Sequence, residues 1–124
     1  MIIVSKSVLI ADDNTVMRNL VKFYLKEFNF NIIEAKDGIE TLSVIKSEDI
    51  FILFLDLKMP NLDGFNVANY LKNTDGQTHI ISISADLNKE NKTLLKKLGV
   101  KYFLNKPLDP AGLKAIVDKI LQDS

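Results

Sequence analysis

The chain contains no cysteine and no tryptophan, and its single histidine is His79. Without thiols there is no disulfide scaffold, no thiol nucleophile and no zinc site of the usual kind, which needs several Cys or His ligands. Metals that take oxygen ligands are what remain. Long apolar runs are also missing. The longest, Ile50 to Leu55 with Leu57 after Asp56, falls far short of the roughly 20 residues needed to cross a bilayer. Met1 to Lys6 carries neither a basic leader nor an apolar segment long enough for a signal peptide, so a cytoplasmic location without membrane insertion is expected. An excess of one charge is absent as well. Sixteen basic side chains balance 16 acidic ones, and gross electrostatics give no reason to expect direct nucleic-acid binding.

What is present is enough for one core. The 124 residues are 47% hydrophobic and 26% charged, which suits a single domain over residues 1–124 that folds without staples. Val8 to Ala11 is a short apolar run closed by Asp12-Asp13-Asn14, after which the pattern turns helical. Val16, Met17, Leu20, Val21, Tyr24, Leu25 and Phe28 recur at helical spacing and predict one inward face. The same alternation returns four times: Asn31 to Ala35 before Ile39, Leu42 and Ile45; Ile50 to Leu55 before Phe65, Ala68 and Leu71; Ile80 to Ser84 before Leu94, Leu95 and Leu98; Lys101 to Asn105 before Leu113, Ile116, Val117, Ile120 and Leu121. Five βα units imply an α/β fold with a parallel sheet and helices on both faces. Gly38, Gly64, Gly76 and Gly99 fall near the junctions. The fourth helix is the most weakly anchored, because Asn88 to Thr93 is wholly polar.

In open parallel sheets the ligand site lies beyond the carboxyl ends of the strands, where strand order reverses. The first strand ends in Asp12-Asp13, the third in Asp56, the fourth in Ser84 and the fifth in Lys106. Separately these residues have ordinary explanations: Asp12, Asp13 or Asn14 could cap a helix, and Lys106 could precede a surface turn. Asp56, directly after six apolar residues, is poorly placed for solvation. Together they form a cluster with a charge problem. Two carboxylates about 4 Å apart repel by about 4 kcal/mol at an effective dielectric near 20. A hard divalent cation such as Mg²⁺ suits an all-carboxylate site. The Lys106 ammonium and the Ser84 hydroxyl add what the oxygens of a transferring phosphoryl group require, with the remaining carboxylate as nucleophile.

These residues resemble the receiver domain of bacterial two-component response regulators. The resemblance rests on Leu9-Ile10-Ala11-Asp12-Asp13, on Asp56 through Gly64 with Pro60 between them, on Ser84-Ala85 and on Lys106-Pro107, in order and spread over nearly the whole chain. Asp12 to Arg18 is also similar to the chemotaxis regulator CheY of that family. The resemblance implies a doubly wound (βα)5 flavodoxin-like, CheY-like fold with strand order 2-1-3-4-5. It implies that Asp56 is the phosphoacceptor, and that Asp12, Asp13, Asp56 and the Lys58 backbone carbonyl hold Mg²⁺, with Mn²⁺ an alternative. Lys106 would bind phosphoryl oxygens, Ser84 and Phe103 would be switch residues, and the Lys106-Pro107 peptide would be cis.

The partners so implied are a sensor histidine kinase or phosphotransfer protein and a downstream target protein, met by the face of the fourth helix, fifth strand and fifth helix. Lys92, Lys96 and Phe103 lie on that face. The domain would be a monomer that catalyses only its own phosphorylation and dephosphorylation, either a stand-alone regulator with a role in chemotaxis or a domain excised from a larger regulator or hybrid kinase. Ser84 stands where threonine is commoner, and Phe103 lacks the hydroxyl of CheY's tyrosine. Lys58 and Asp86, each two residues beyond a site residue, are expected to modulate phosphoryl lifetime and could pair across the site mouth. A phosphohydrolase with an Asp-x-Asp motif fits less well, since Lys58 takes the second acidic place. A flavodoxin-like electron carrier would suffer repulsion between its cofactor phosphate and Asp12-Asp13.

Overall fold

The computed structural model describes residues 5–74 and 77–124. Its elements alternate as β1 (Ser7–Ala11), α1 (Thr15–Tyr24), β2 (Asn31–Ala35), α2 (Gly38–Ser47), β3 (Ile52–Asp56), α3 (Gly64–Thr74), β4 (His79–Ser84), α4 (Lys89–Lys97), β5 (Tyr102–Asn105) and α5 (Pro110–Gln122). The five strands pair in parallel in the order β2-β1-β3-β4-β5, the doubly wound arrangement expected. Side chains alternate across a strand, so each strand feeds two cores. Leu9, Leu53 and Leu55 pack with Val67, Ala68, Leu71 and Leu95 on the α3 and α4 side. Val8, Ile10, Ile52 and Phe54 pack with Val21, Leu113, Val117 and Ile120 on the α1 and α5 side. The central strand β3 is buried along its whole length, which is why its sequence is a continuous apolar run rather than an alternating one.

Helix starts follow their capping residues. Asn14 accepts the Val16 and Met17 amides at the start of α1, Asp37 caps α2, Asn88 caps α4, and Asp109 caps α5 with Pro110 in the first turn. The helical period in the sequence outruns the first helix. α1 stops at Tyr24, where the Leu25 N–H bonds to the Val21 and Lys22 carbonyls, and Phe28 reaches the α1 and α5 core from the following turn. Val16 (73% exposed) and Ile39 (58% exposed) face solvent instead of the core, because both sit in first turns at the carboxyl edge of the sheet. Leu121, in the last turn of α5, and Leu94 are also exposed; α4 buries a single stripe centred on Leu95, its one fully buried residue. Ile50 is buried just ahead of β3, β4 gains His79, and β5 begins at Tyr102 rather than Lys101. Gly76 lies outside the described residues. No described helix is long and apolar enough to cross a membrane.

Two glycines hold the loop beyond β3 against its surroundings. A Cβ on Gly64 would lie 2.6 Å from the Asp56 carbonyl oxygen and 2.9 Å from the Leu57 Cα, and one on Gly38 would collide with the Leu62 carbonyl. Gly64 also donates its N–H to the Leu57 carbonyl at 3.0 Å, so helix α3 starts in backbone contact with the strand end that carries Asp56. Neither atom met by the added carbon belongs to a flexible side chain. Gly64→Ala is therefore expected to destabilise the fold by about 1 to 3 kcal/mol in urea unfolding; an unchanged midpoint would show that α3 can shift without cost.

Candidate functional site

The carboxyl ends of β1 and β3 are neighbours, and β1 is the strand at which the order turns back. Asp12 follows β1 directly and Asp56 is the last residue of β3, so the sheet sets two acids side by side. One carboxylate oxygen from each of Asp12, Asp13 and Asp56 can be chosen so that all lie within 4.8 Å of one another. Asp12 is 3% exposed and Asp56 4%, whereas Asp13 is open to solvent. Lys106, just past β5, puts its Nζ 3.4 Å from Asp12 Oδ2 and 3.6 Å from Asp56 Oδ1. The alternative role of the Asp12 to Asn14 stretch, helix capping, falls to Asn14 alone; the Asn14 N–H in turn donates to Asp12 Oδ1 at 2.9 Å.

The electrostatics follow from that crowding. Burial pushes the Asp56 carboxyl up to about 6, and the Asp12 charge pushes the same way with a smaller push from Asp13. Lys106 and the Lys58 backbone N–H, 3.4 Å from Asp56 Oδ1, pull it down without restoring the usual carboxylate value. A single ammonium does not balance three acids. An oxygen-binding divalent cation fits this donor set, since it would remove the repulsion that raises Asp56.

Ser84 ends β4 and is buried. Its Oγ accepts the Asp86 N–H at 3.0 Å, and the Asp86 carbonyl accepts Asn91 Nδ2 at 2.9 Å, so a two-bond chain runs from the site to the first turn of α4. The cis peptide expected at Lys106-Pro107 is present. Phe103 lies on β5, partly buried against the α3 and α4 core. Lys58 and Asp86 are both exposed, and no ion pair joins them among the described residues. The pairing across the mouth is thus not formed: what fixes Asp86 is its backbone, held by Ser84 and Asn91, while its side chain stays in solvent.

Two neighbouring groups were not apparent as site components from the sequence. Asn61, in the loop after Asp56, adopts φ 69° and donates Nδ2 to Asp37 Oδ2 at 2.9 Å, tying that loop to the cap of α2. Asparagine is one of the few residues that tolerate this backbone region, and Asn61 inside the Pro60 to Gly64 loop was the available signal. Arg18, on α1, reaches back to the Asp12 carbonyl at 2.7 Å and bonds Glu34 on β2 at 3.0 Å. Its distance from Asp12 along the chain hints at the first contact; the second is visible only once β2 is known to lie beside β1.

The raised Asp56 carboxyl has a consequence for stability. A group held at about 6 in the folded chain and near 3.9 when unfolded binds more protons in the fold. It favours the fold at low pH and costs stability as pH rises from about 4 through 6. In the presence of a chelator, Asp56→Asn is expected to raise stability at pH 7 by about 1 to 2 kcal/mol, allowing for solvent screening at the open rim. That gain should vanish below about pH 4; urea unfolding at the two pH values checks both statements.

The chain was compared with known proteins. The family profile of the response regulator receiver domain matches residues 8–118. Response regulator GtcR of Aneurinibacillus migulanus is 35% identical over 106 residues, 86% of this chain and 43% of that protein. The autoinducer 1 sensor kinase/phosphatase LuxN of Vibrio campbellii is 31% identical over 94 residues, 76% of this chain and 11% of that protein. The chain spans less than half the length of both curated relatives. Among solved structures, the signal receiver domain of a putative LuxO repressor protein from Vibrio parahaemolyticus has a TM-score of 0.91 at 27% identity, covering 97% of this chain and 92% of that one. A chain of the CheX-CheY-BeF3-Mg+2 complex from Borrelia burgdorferi has a TM-score of 0.87 at 30% identity, covering 94% of this chain and 89% of that one. With the profile running from β1 into α5, the chain belongs to the response regulator receiver domains of two-component signalling.

Proposed function

We propose that the chain receives a phosphoryl group on Asp56 from a phosphohistidine of a sensor histidine kinase or phosphotransfer protein, and that the phosphorylated form presents an altered α4, β5 and α5 face to a downstream protein. The observation that carries this reading is the meeting of Asp12, Asp13 and Asp56 with the Lys106 ammonium at the β1 and β3 strand ends. Asp12, Asp13, Asp56 and the Lys58 carbonyl would hold Mg²⁺, which when bound supplies positive charge to the carboxylates and to the phosphoryl oxygens.

Asp56 attacks phosphorus with one carboxylate oxygen; a P–O bond forms, the P–N bond to the donor imidazole breaks, and the imidazole leaves with its electron pair and takes a proton. The burial that raises Asp56 also keeps bulk water from competing at the acceptor. Lys106 already faces Asp56 and is close enough to follow the negative charge outward onto the phosphoryl oxygens. Ser84 Oγ accepts the Asp86 N–H and keeps its own proton to donate. A new acceptor on Asp56 therefore pulls on Ser84, and through Asp86 and Asn91 on the first turn of α4. That helix fully buries only Leu95, and its opening stretch from Asn88 to Thr93 is wholly polar, so few apolar contacts oppose a shift of its first turns. Phosphorylation shifts the two-state balance by the difference in how Ser84 and Lys106 bind the phosphoryl group in each state.

A receiver joined to an output domain, as in a larger regulator or hybrid kinase, would use the same chemistry. Incubation with acetyl phosphate and Mg²⁺ is expected to give one phosphoryl adduct by intact mass on the wild type and none on Asp56→Asn or without the metal. Absence of an adduct on the wild type would leave a protein scaffold as the reading. Lys58→Ala and Asp86→Ala are each expected to change the decay of the adduct; decay unchanged in both would remove their role as modulators.

A further inference from the structure

Asp12 is the most constrained residue of the site. Its N–H donates to the Ala35 carbonyl at 3.0 Å, its Oδ1 accepts the Asn14 N–H, and its Oδ2 faces Lys106. Its carbonyl lies one residue past the end of β1, where the sheet ladder no longer supplies a partner, and a backbone carbonyl so placed needs one. The partner is a side chain. Arg18 Nη1 donates to the Asp12 carbonyl at 2.7 Å, Nε to Glu34 Oε1 at 3.0 Å, and Nη2 to Thr15 Oγ1 at 3.2 Å. Glu34 is held from a second direction by Lys22, whose Nζ lies 3.1 Å from Oε2. The Arg18 side chain is 15% exposed, unusually low for a cation on the outer part of a fold.

We propose that Arg18 is a positioning residue for cation binding: its guanidinium clamps the Asp12 carbonyl to Glu34 on β2 and so fixes the Asp12 and Asp13 carboxylates as ligands. The proposal rests on reading the site as a cation-dependent phosphoacceptor. All three guanidinium nitrogens are engaged on different partners, a planar fork that lysine, as a point charge on a flexible stem, does not reproduce. Glu34 lies on the edge strand, in register with Ile10 two residues before Asp12, so the clamp spans adjacent strands at the rim of the site.

A clamp and a simple charge make opposite predictions. As a fixed positive charge beside an acidic cluster, Arg18 would weaken cation binding, and removing it would tighten Mg²⁺. As a positioning group it strengthens binding, and removing it loosens Mg²⁺ even when the charge is kept.

The test is a calorimetric titration of Mg²⁺ into the wild type, Arg18→Lys, Arg18→Ala and Glu34→Gln, with urea unfolding of each. Arg18→Lys and Arg18→Ala are expected to lose affinity by about 10-fold or more, as partners of metal ligands generally do, and Glu34→Gln to lose part of that. Adduct formation with acetyl phosphate should then need more Mg²⁺ while its rate at saturating Mg²⁺ stays near wild type. Wild-type affinity in Arg18→Lys, or tighter binding in Arg18→Ala, overturns the proposal. Should Arg18→Ala fail to fold, Arg18→Lys and Glu34→Gln decide it. A wild type that binds Mg²⁺ but takes no phosphoryl group fails the phosphoacceptor reading and leaves the titration to judge the clamp; a wild type that binds no Mg²⁺ overturns both.

Discussion

Like charges confined in a space that water barely enters are the constraint on which the rest of this molecule turns. Asp12 and Asp56 are nearly as buried as the core residues beside them; Asp56 ends a strand that is otherwise apolar, and Asp12 directly follows the buried apolar run Val8 to Ala11. Nothing in a hydrophobic core favours two carboxylates there. They are kept by the sheet, which brings the ends of β1 and β3 together whatever those residues are, and they are tolerated because Lys106 stands between them. The compensation is incomplete, which is the source of the site's chemistry. An ammonium can be drawn away by a more negative partner, and an acid raised to about 6 is relieved when a cation joins it.

The surrounding fold serves to keep that tension in place. Two apolar layers, one on each face of the sheet, make β3 the least yielding element. The loop beyond Asp56 is held by Gly64 against the strand end and by Asn61 against Asp37. Arg18 and Glu34 hold the loop beyond β1. Hydrogen bonds and backbone contacts thus brace the acids, while α4, with Leu95 alone fully buried, is tied to the end of β4 by the bonds through Ser84, Asp86 and Asn91.

Much of this was legible in the sequence, for physical reasons that can be traced to particular residues. Asp56 announces itself because an acid after an unbroken apolar run has no ordinary place in a soluble domain, and the run itself marks the strand covered on both faces. Asp12, Ser84 and Lys106 follow from the rule that parallel strands gather their carboxyl ends. Val16 and Ile39 misled because a helical period reports which face is apolar and not how far the sheet beneath it extends. Phe28 misled because a turn can deliver an aromatic ring to the core as well as a helix can. The Lys58 and Asp86 pair did not form because attraction between exposed charges is too weak to choose a conformation. Arg18 with Glu34, and Asn61 with Asp37, depend on neighbours in space separated along the chain, so residue spacing alone carries no trace of them.

The central claim, that burial and like charge leave Asp56 short of counter-charge, is tested most directly by following the Asp56 carboxyl carbon by NMR through a pH titration, with and without Mg²⁺. The account predicts a midpoint near 6 in the metal-free protein and a fall of the midpoint to or below the ordinary carboxylate range when Mg²⁺ is saturating. A metal-free midpoint near 4, unmoved by Mg²⁺, would contradict it.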